Sequence, residues 1–125
     1  MEGRVFDLED RLLDHSAEIV RITERLPNTR AGNHVATQLL RSGTSPFPHH
    51  GEAQSAESRR DFIHKMKVCL KELREAKRWL RLVRRIPLLG PASAVDPLLG
   101  ETEELIKIFD ASIRTAERNK GSAKP

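Results

Sequence analysis

Three observations predict an all-α fold, an up-down-up-down four-helix bundle. Apolar residues recur at three/four spacing in four separate stretches, short connections rich in proline, glycine and polar residues divide them, and neither a strand pattern nor an internal repeat competes. The 125 residues fit one domain, 1–125, long enough to bury a core without disulfides or metal. Charged residues make up 32% and aromatics 4%, with no Tyr; abundant Leu, Arg, Glu and Ala favour helix over sheet.

The first helix is expected over about 5–26, where Val5, Leu8, Leu12, Ile19, Ile22 and Leu26 keep the spacing and His15 or Ser16 fills the gap in the row. Asp7, Glu9, Asp10 and Asp14 lie early, at the positive end of the helix dipole. Pro27 stops this helix, and Asn28-Thr29 supplies capping chemistry for the next. The second helix is expected over about 30–41, with Val35, Leu39 and Leu40 inward; Gly32, Asn33 and Thr37 weaken it. Gly43, Pro46 and Pro48 then predict a kink or loop over 42–51, because a residue preceding proline avoids the α region, with a short helical turn at 52–56. The third helix spans 58–86, and 87–95 form a punctuated connection. Asp96-Pro97 reads as N-cap and first helical position of the fourth helix, about 97–118, lined by Leu98, Thr102, Leu105, Phe109, Ile113 and Ala116. Residues 119–125 are expected to fray.

The third helix organises the chain. Phe62, Met66, Cys69, Leu73, Ala76, Leu80 and Val83 alternate spacings of four and three without a slip, a heptad seam with Phe62 at d and Met66 at a. Positions b and f read Arg60, His64, Lys67, Lys71, Arg74, Arg78, Arg81 and Arg85, with no acid. Residues 58–86 hold eleven Lys and Arg against Asp61, Glu72 and Glu75, a local charge of +8, while the whole chain carries +4. The basicity of this protein is one helix. Like charges at i,i+3 and i,i+4 destabilise by about 0.2–0.5 kcal/mol per pair, so a compensating anion is expected. Nucleic-acid phosphates are one candidate. Acids of a neighbouring helix or subunit are the other; Asp7, Glu9, Asp10, Asp14, Glu18, Glu101, Glu103 and Glu104 are available. A solvated face is the bland third reading. No aromatic residue interleaves with the stripe, so backbone contact rather than base reading is expected.

Further along the same helix, Trp79 and Ile86 at g and Leu82 at c exceed what a bundle monomer buries, while Ile63 and Leu70 widen the apolar arc on the other side. The surplus at Trp79, Leu82 and Ile86 reads as an oligomer interface; the alternative is that Leu88 and Leu89 of the following loop fold back over it. Cys69 lies on the seam and has no partner in the chain, which makes it a buried small hydrophobe in a reducing, cytoplasmic setting. The N-terminal stretch is acidic and amphipathic, unlike a signal peptide, and no apolar run reaches the ~20 residues a membrane span needs. His49-His50 with Glu52 lacks a fourth ligand at metal-site spacing. Asp61 and His64 offer half of a di-iron motif, and both point outward. No phosphate-cradling loop, zinc-protease motif or nucleophile elbow is present. The chain is expected to be non-enzymatic, with no cofactor and no metal.

The run QLLRSGTS (Gln38–Ser45), Glu52-Ala53, DFIHKM (Asp61–Met66) and Trp79-Leu80 resembles the small bacterial four-helix proteins of the 23S ribosomal RNA intervening sequence, over roughly residues 5–117. The resemblance implies a four-helix bundle assembling as a homopentameric barrel. A related branch, the accessory proteins of diversity-generating retroelements, implies a basic barrel that binds nucleic acid and a reverse transcriptase. The chain departs from that pattern at Ser45-Pro46-Phe47-Pro48-His49, where His49 stands in place of the usual Asn. Together these readings give a homo-oligomer presenting Arg60, Lys67, Lys71, Arg74, Arg78, Arg81 and Arg85 to nucleic acid without sequence specificity, RNA ahead of DNA by the resemblance alone. The alternative is a protein–protein adaptor or scaffold whose stripe meets acids of a partner protein or neighbouring subunit.

Overall fold

The protein is described by a computed structural model covering residues 8–122. Among the described residues, five α-helices and one 3-10 turn follow in order: α1 Leu8–Arg25, α2 Arg30–Thr44, α3 Pro46–Gln54, α4 Arg59–Arg85, the 3-10 turn Ala92–Val95, and α5 Asp96–Ser122. α2 and α3 together form the second arm of a four-helix bundle, the architecture that three/four spacing in four stretches predicts, although not with a helix through this arm's middle. α1 packs on α2–α3, α2–α3 on α4, α4 on α5, and α5 back on α1. α1 and α4 therefore sit on one diagonal.

Capping starts α2 and α4. The Thr29 hydroxyl accepts from the Gly32 N–H at 3.0 Å, and the Ser58 hydroxyl accepts from the Asp61 N–H at 3.0 Å. Asp96 is not the N-cap of α5: its φ of −60° and ψ of −43° are helical, and its carboxylate is taken by Arg84. The 3-10 turn ahead of it already leads the backbone into α5. α5 also runs past the expected end at Arg118, to Ser122.

The largest correction concerns residues 42–51, which are helical apart from the junction at Ser45. Ser45, although it precedes Pro46, holds φ −63° and ψ −34°. Its N–H donates to the Arg41 carbonyl at 3.1 Å, and the His49 N–H donates to the Ser45 carbonyl at 3.1 Å, so the chain stays helical through the break. Pro46 stands in the first turn of α3, where a missing N–H leaves no hydrogen bond unmade within that helix. Ser42, Thr44 and Ser45 turn their hydroxyls back onto the carbonyls of Gln38, Leu40 and Arg41 at 3.0, 2.6 and 2.6 Å. α1 and α2 meet closely at Gly43, where a Cβ would lie 2.6 Å from Ile19 Cδ1. Gly32 is required at the preceding turn, since a Cβ there would lie 2.0 Å from the Pro27 carbonyl oxygen.

The seam of α4 is buried from Met66 to Val83; Phe62 is half-buried, and Ile63 and Leu70 are buried beside it. Leu12, Ile19 and Ile22 of α1, with Leu26 just past its end, face them within the core, and both His15 and Ser16 are buried in the gap between. Val5 and Asp7 lie outside the described residues. In α2 Val35 and Leu39 turn inward, but Leu40 is 40% exposed, because Gly43 rather than Leu40 makes the approach to α1. On α5 Leu98, Thr102, Leu105, Phe109 and Ile113 are buried and Ala116 is partly so.

Candidate nucleic-acid interface

Burial of positions a and d fixes where the rest of α4 points. The e edge meets α5: Lys77 pairs with Glu103 at 3.4 Å, and Arg84 grips Asp96 through two contacts of 2.6 and 3.1 Å. That guanidinium holds the Asp96 carboxyl below its usual range. The other edge meets α2 and α3: Glu75 pairs with Arg41, and Glu72 accepts from His49 Nδ1 at 2.9 Å. These edge charges are consumed by neighbouring helices, while Asp61 and Lys65 pair with each other along α4 at 2.8 Å.

Between the edges, Arg60, His64, Lys67, Lys71, Arg74, Arg78, Arg81 and Arg85 are all exposed. Lys67 reaches Glu117 of α5 at 3.0 Å. Arg60, at the start of the helix, and Lys71, Arg74, Arg78, Arg81 and Arg85 make no ion pair among the described residues. Among the described residues, each acid considered as their partner within the chain is placed elsewhere. Glu101 binds Arg11 through two contacts of 2.9 and 2.8 Å, Glu104 lies 3.5 Å from Lys107, and Glu18 pairs with Arg21 on its own helix. Glu9, Asp10 and Asp14 ride on α1, diagonal to α4. One cation per 5 Å or so of helix rise, on a single face, is closer than the ~8 Å screening length of physiological salt, so the field along the stripe is continuous.

Of the three residues read as an interface, Trp79 is engaged within the protomer. Its indole N–H donates to Glu75 at 3.1 Å, its ring meets His34 edge-on at 5.8 Å, and it packs against the core. Leu82 and Ile86 remain 40% and 50% exposed. The 87–95 segment does fold back, burying Leu89 and half-burying Leu88, yet it covers the end of the core rather than Leu82 and Ile86.

The remaining candidates separate. His50 turns inward against Phe109 at 5.8 Å, His49 outward to Glu72, and Glu52 is exposed. Among the described residues no group of His, Cys, Asp and Glu could hold a metal ion. Burial drives the Cys69 thiol up to about 12, so it is inert at neutral pH. No helix of the described residues is long and apolar enough to cross a membrane.

Comparison with known proteins agrees with this architecture. A protein of unknown function from the S23 ribosomal protein family of Bacteroides thetaiotaomicron VPI-5482, known from a 1.70 Å crystal structure, superposes with a TM-score of 0.78 at 31% identity. The match covers 85% of this chain and 97% of that one. No curated protein matches. The profile of the 23S rRNA-intervening sequence proteins matches residues 9–111. The chain belongs to the 23S rRNA-intervening sequence protein family.

Proposed function

We propose that the protein is a nucleic-acid-binding bundle that holds a phosphate backbone along the outer face of α4, without reading sequence. The observation that carries this is the row Lys71, Arg74, Arg78, Arg81 and Arg85, exposed and without an acid partner among the described residues. Five charges of one sign repel along one helix; phosphates relieve that repulsion and release counterions as they bind. The absence of an aromatic side chain on the row restricts recognition to charge and shape.

The exposed pair Leu82 and Ile86 supports a second reading, an adaptor or scaffold in which this end of α4 meets another subunit or a protein partner. In that case acids of the partner neutralise the arginines.

Salt separates the two. In fluorescence-anisotropy titrations, five phosphate contacts give a log–log salt slope of about −3.5 for single strands and −4.5 for duplex. The triple variant Arg74→Ala, Arg78→Ala, Arg81→Ala should shallow the slope by about 2–3. Light-scattering mass measured alongside should show one unchanged assembly at low and high salt. Absence of binding, together with an assembly that dissociates at high salt, would transfer the stripe to a protein interface.

A further inference from the structure

A furrow runs between α4 and α5 alongside the basic stripe. Near the end of α4 a hollow is lined by Arg78, Arg81, Arg85, Leu82 and Leu99, among others. The next shares Arg78 and Arg81 and adds Arg74 and Ile106. A third shares Arg74 and Arg78 and continues past Lys71, Ile113 and Glu117 to Lys67. At 1.5 Å per residue, Lys67 to Arg85 spans about 27 Å.

The two walls differ in charge. The α4 wall presents the five unpaired cations. On the α5 wall each charge that lines the furrow is matched: Glu103 by Lys77 at 3.4 Å, Glu117 by Lys67 at 3.0 Å, and Asp110 by Arg114. Aliphatic side chains lie between them, with Ile106 half-buried in the middle stretch and Leu82 and Leu99 at the far end.

We propose that this furrow is a groove for a single nucleic-acid strand, a conclusion that rests on the nucleic-acid reading of α4. One backbone follows the cationic wall, and the sugars and unpaired bases of the same strand lie over the aliphatic side chains toward α5. A duplex suits the furrow less well. It brings a second backbone to a wall with no free cation, and it keeps its bases stacked away from Leu82, Leu99 and Ile106. Electrostatics alone gives the opposite ranking, because duplex carries the higher charge density.

The test is a competition between two labelled probes, a single strand of roughly 15 nucleotides and its duplex, read by anisotropy on the full chain; the length falls in the range that single-strand binders occupy. The single strand should bind roughly fivefold tighter, about the weight of one phosphate contact. Glu103→Gln, Asp110→Asn and Glu117→Gln together strip the acids from the α5 wall and free Arg114 there for a second backbone, so duplex affinity should rise more than single-strand affinity and the ratio fall toward one. Leu82→Ser, at an exposed position that should not disturb folding, should weaken the single strand alone and leave the salt slope unchanged. Duplex binding as tightly as single strand, or a ratio unmoved by the triple substitution, would overturn the groove while leaving the nucleic-acid reading intact. If neither probe binds more tightly than to the Arg74→Ala, Arg78→Ala, Arg81→Ala variant, both fall.

Discussion

The inner face of α4 and the inner faces of α1 and α2–α3 meet in one core, yet they are built from different chemistry. From Met66 to Val83 the α4 side buries only carbon and sulfur. The α1 and α2–α3 side buries His15, Ser16, Thr23, Ser42 and His50. Thr23 and Ser42 return their hydroxyls to the Val20 and Gln38 carbonyls at 2.9 and 3.0 Å. Three buried polar atoms, His15 Nδ1, Ser16 Oγ and His50 Nδ1, have no hydrogen-bond partner, and all three lie on α1 or α3. The α4 half of the core thus depends on volume alone. The other half depends on protonation state and on how closely the α2 backbone at Gly43 can approach the Ile19 side chain.

The largest expected effect separates the halves by pH. His15 Nε2 meets Thr102 Oγ1 at 2.8 Å, and Thr102 Oγ1 also bonds the Leu98 carbonyl at 2.8 Å. Burial lowers the His15 pKa from 6.5 to about 4, and lowers that of His50 in the same direction. Above 6.5 both folded and unfolded chains carry neutral imidazole. Between 6.5 and 4 the unfolded chain binds a proton that the folded chain refuses, so stability falls as pH falls through that window, by about 3 kcal/mol for His15. Urea denaturation across this range, repeated with His15→Gln, should show the acid limb flattened in the variant. An identical limb in both proteins would place the acid sensitivity on other groups.

Close approach can be broken separately, with a smaller effect. Gly43→Ala puts a Cβ within 2.6–2.8 Å of three Ile19 side-chain atoms and should destabilise by about 1–3 kcal/mol. Gly51→Ala lies in the same arm of the bundle, in α3, where nothing stands within 4 Å of the added carbon. That change should stabilise by about 0.5–1 kcal/mol through helix propensity. Opposite signs at two glycines of one arm, measured by thermal melting, would confirm that it is α2, at Gly43, that presses against Ile19.

The same division governs how much of the molecule its sequence reveals. The inner face of α4 is all apolar, so periodicity alone places the seam from Met66 to Val83 and the exposure of all eight outward positions. The α2–α3 arm carries the local features that usually end a helix, and reading Gly43, Pro46 and Pro48 as breakers misplaces residues 42–51. Pro46 begins a second helix there, and hydroxyls take up the carbonyls on its N-terminal side. An isolated glycine in a helical pattern can mark a close approach, and that was the available signal for Gly43; inward placement of Leu40 overlooked it. The unpaired state of the stripe was beyond the sequence, because it depends on α1 lying diagonal to α4 rather than beside it.

The smallest expected effect concerns the outer face of α4. Arg78 has like-charged neighbours at Arg74 and Arg81, and its one acidic neighbour at helical spacing, Glu75, is already taken by Arg41 and the Trp79 indole. Arg78→Gln removes both repulsions at nearly equal helix propensity and should stabilise the fold by about 0.4–1 kcal/mol. That gain should vanish near 1 M salt, where the screening length falls to about 3 Å. If the substitution stabilises the fold and weakens oligonucleotide binding together, Arg78 opposes the folded state and serves an external anion. If it destabilises the protein, Arg78 is paired with an acid beyond its own protomer, and the adaptor reading gains the arginine that the nucleic-acid reading loses.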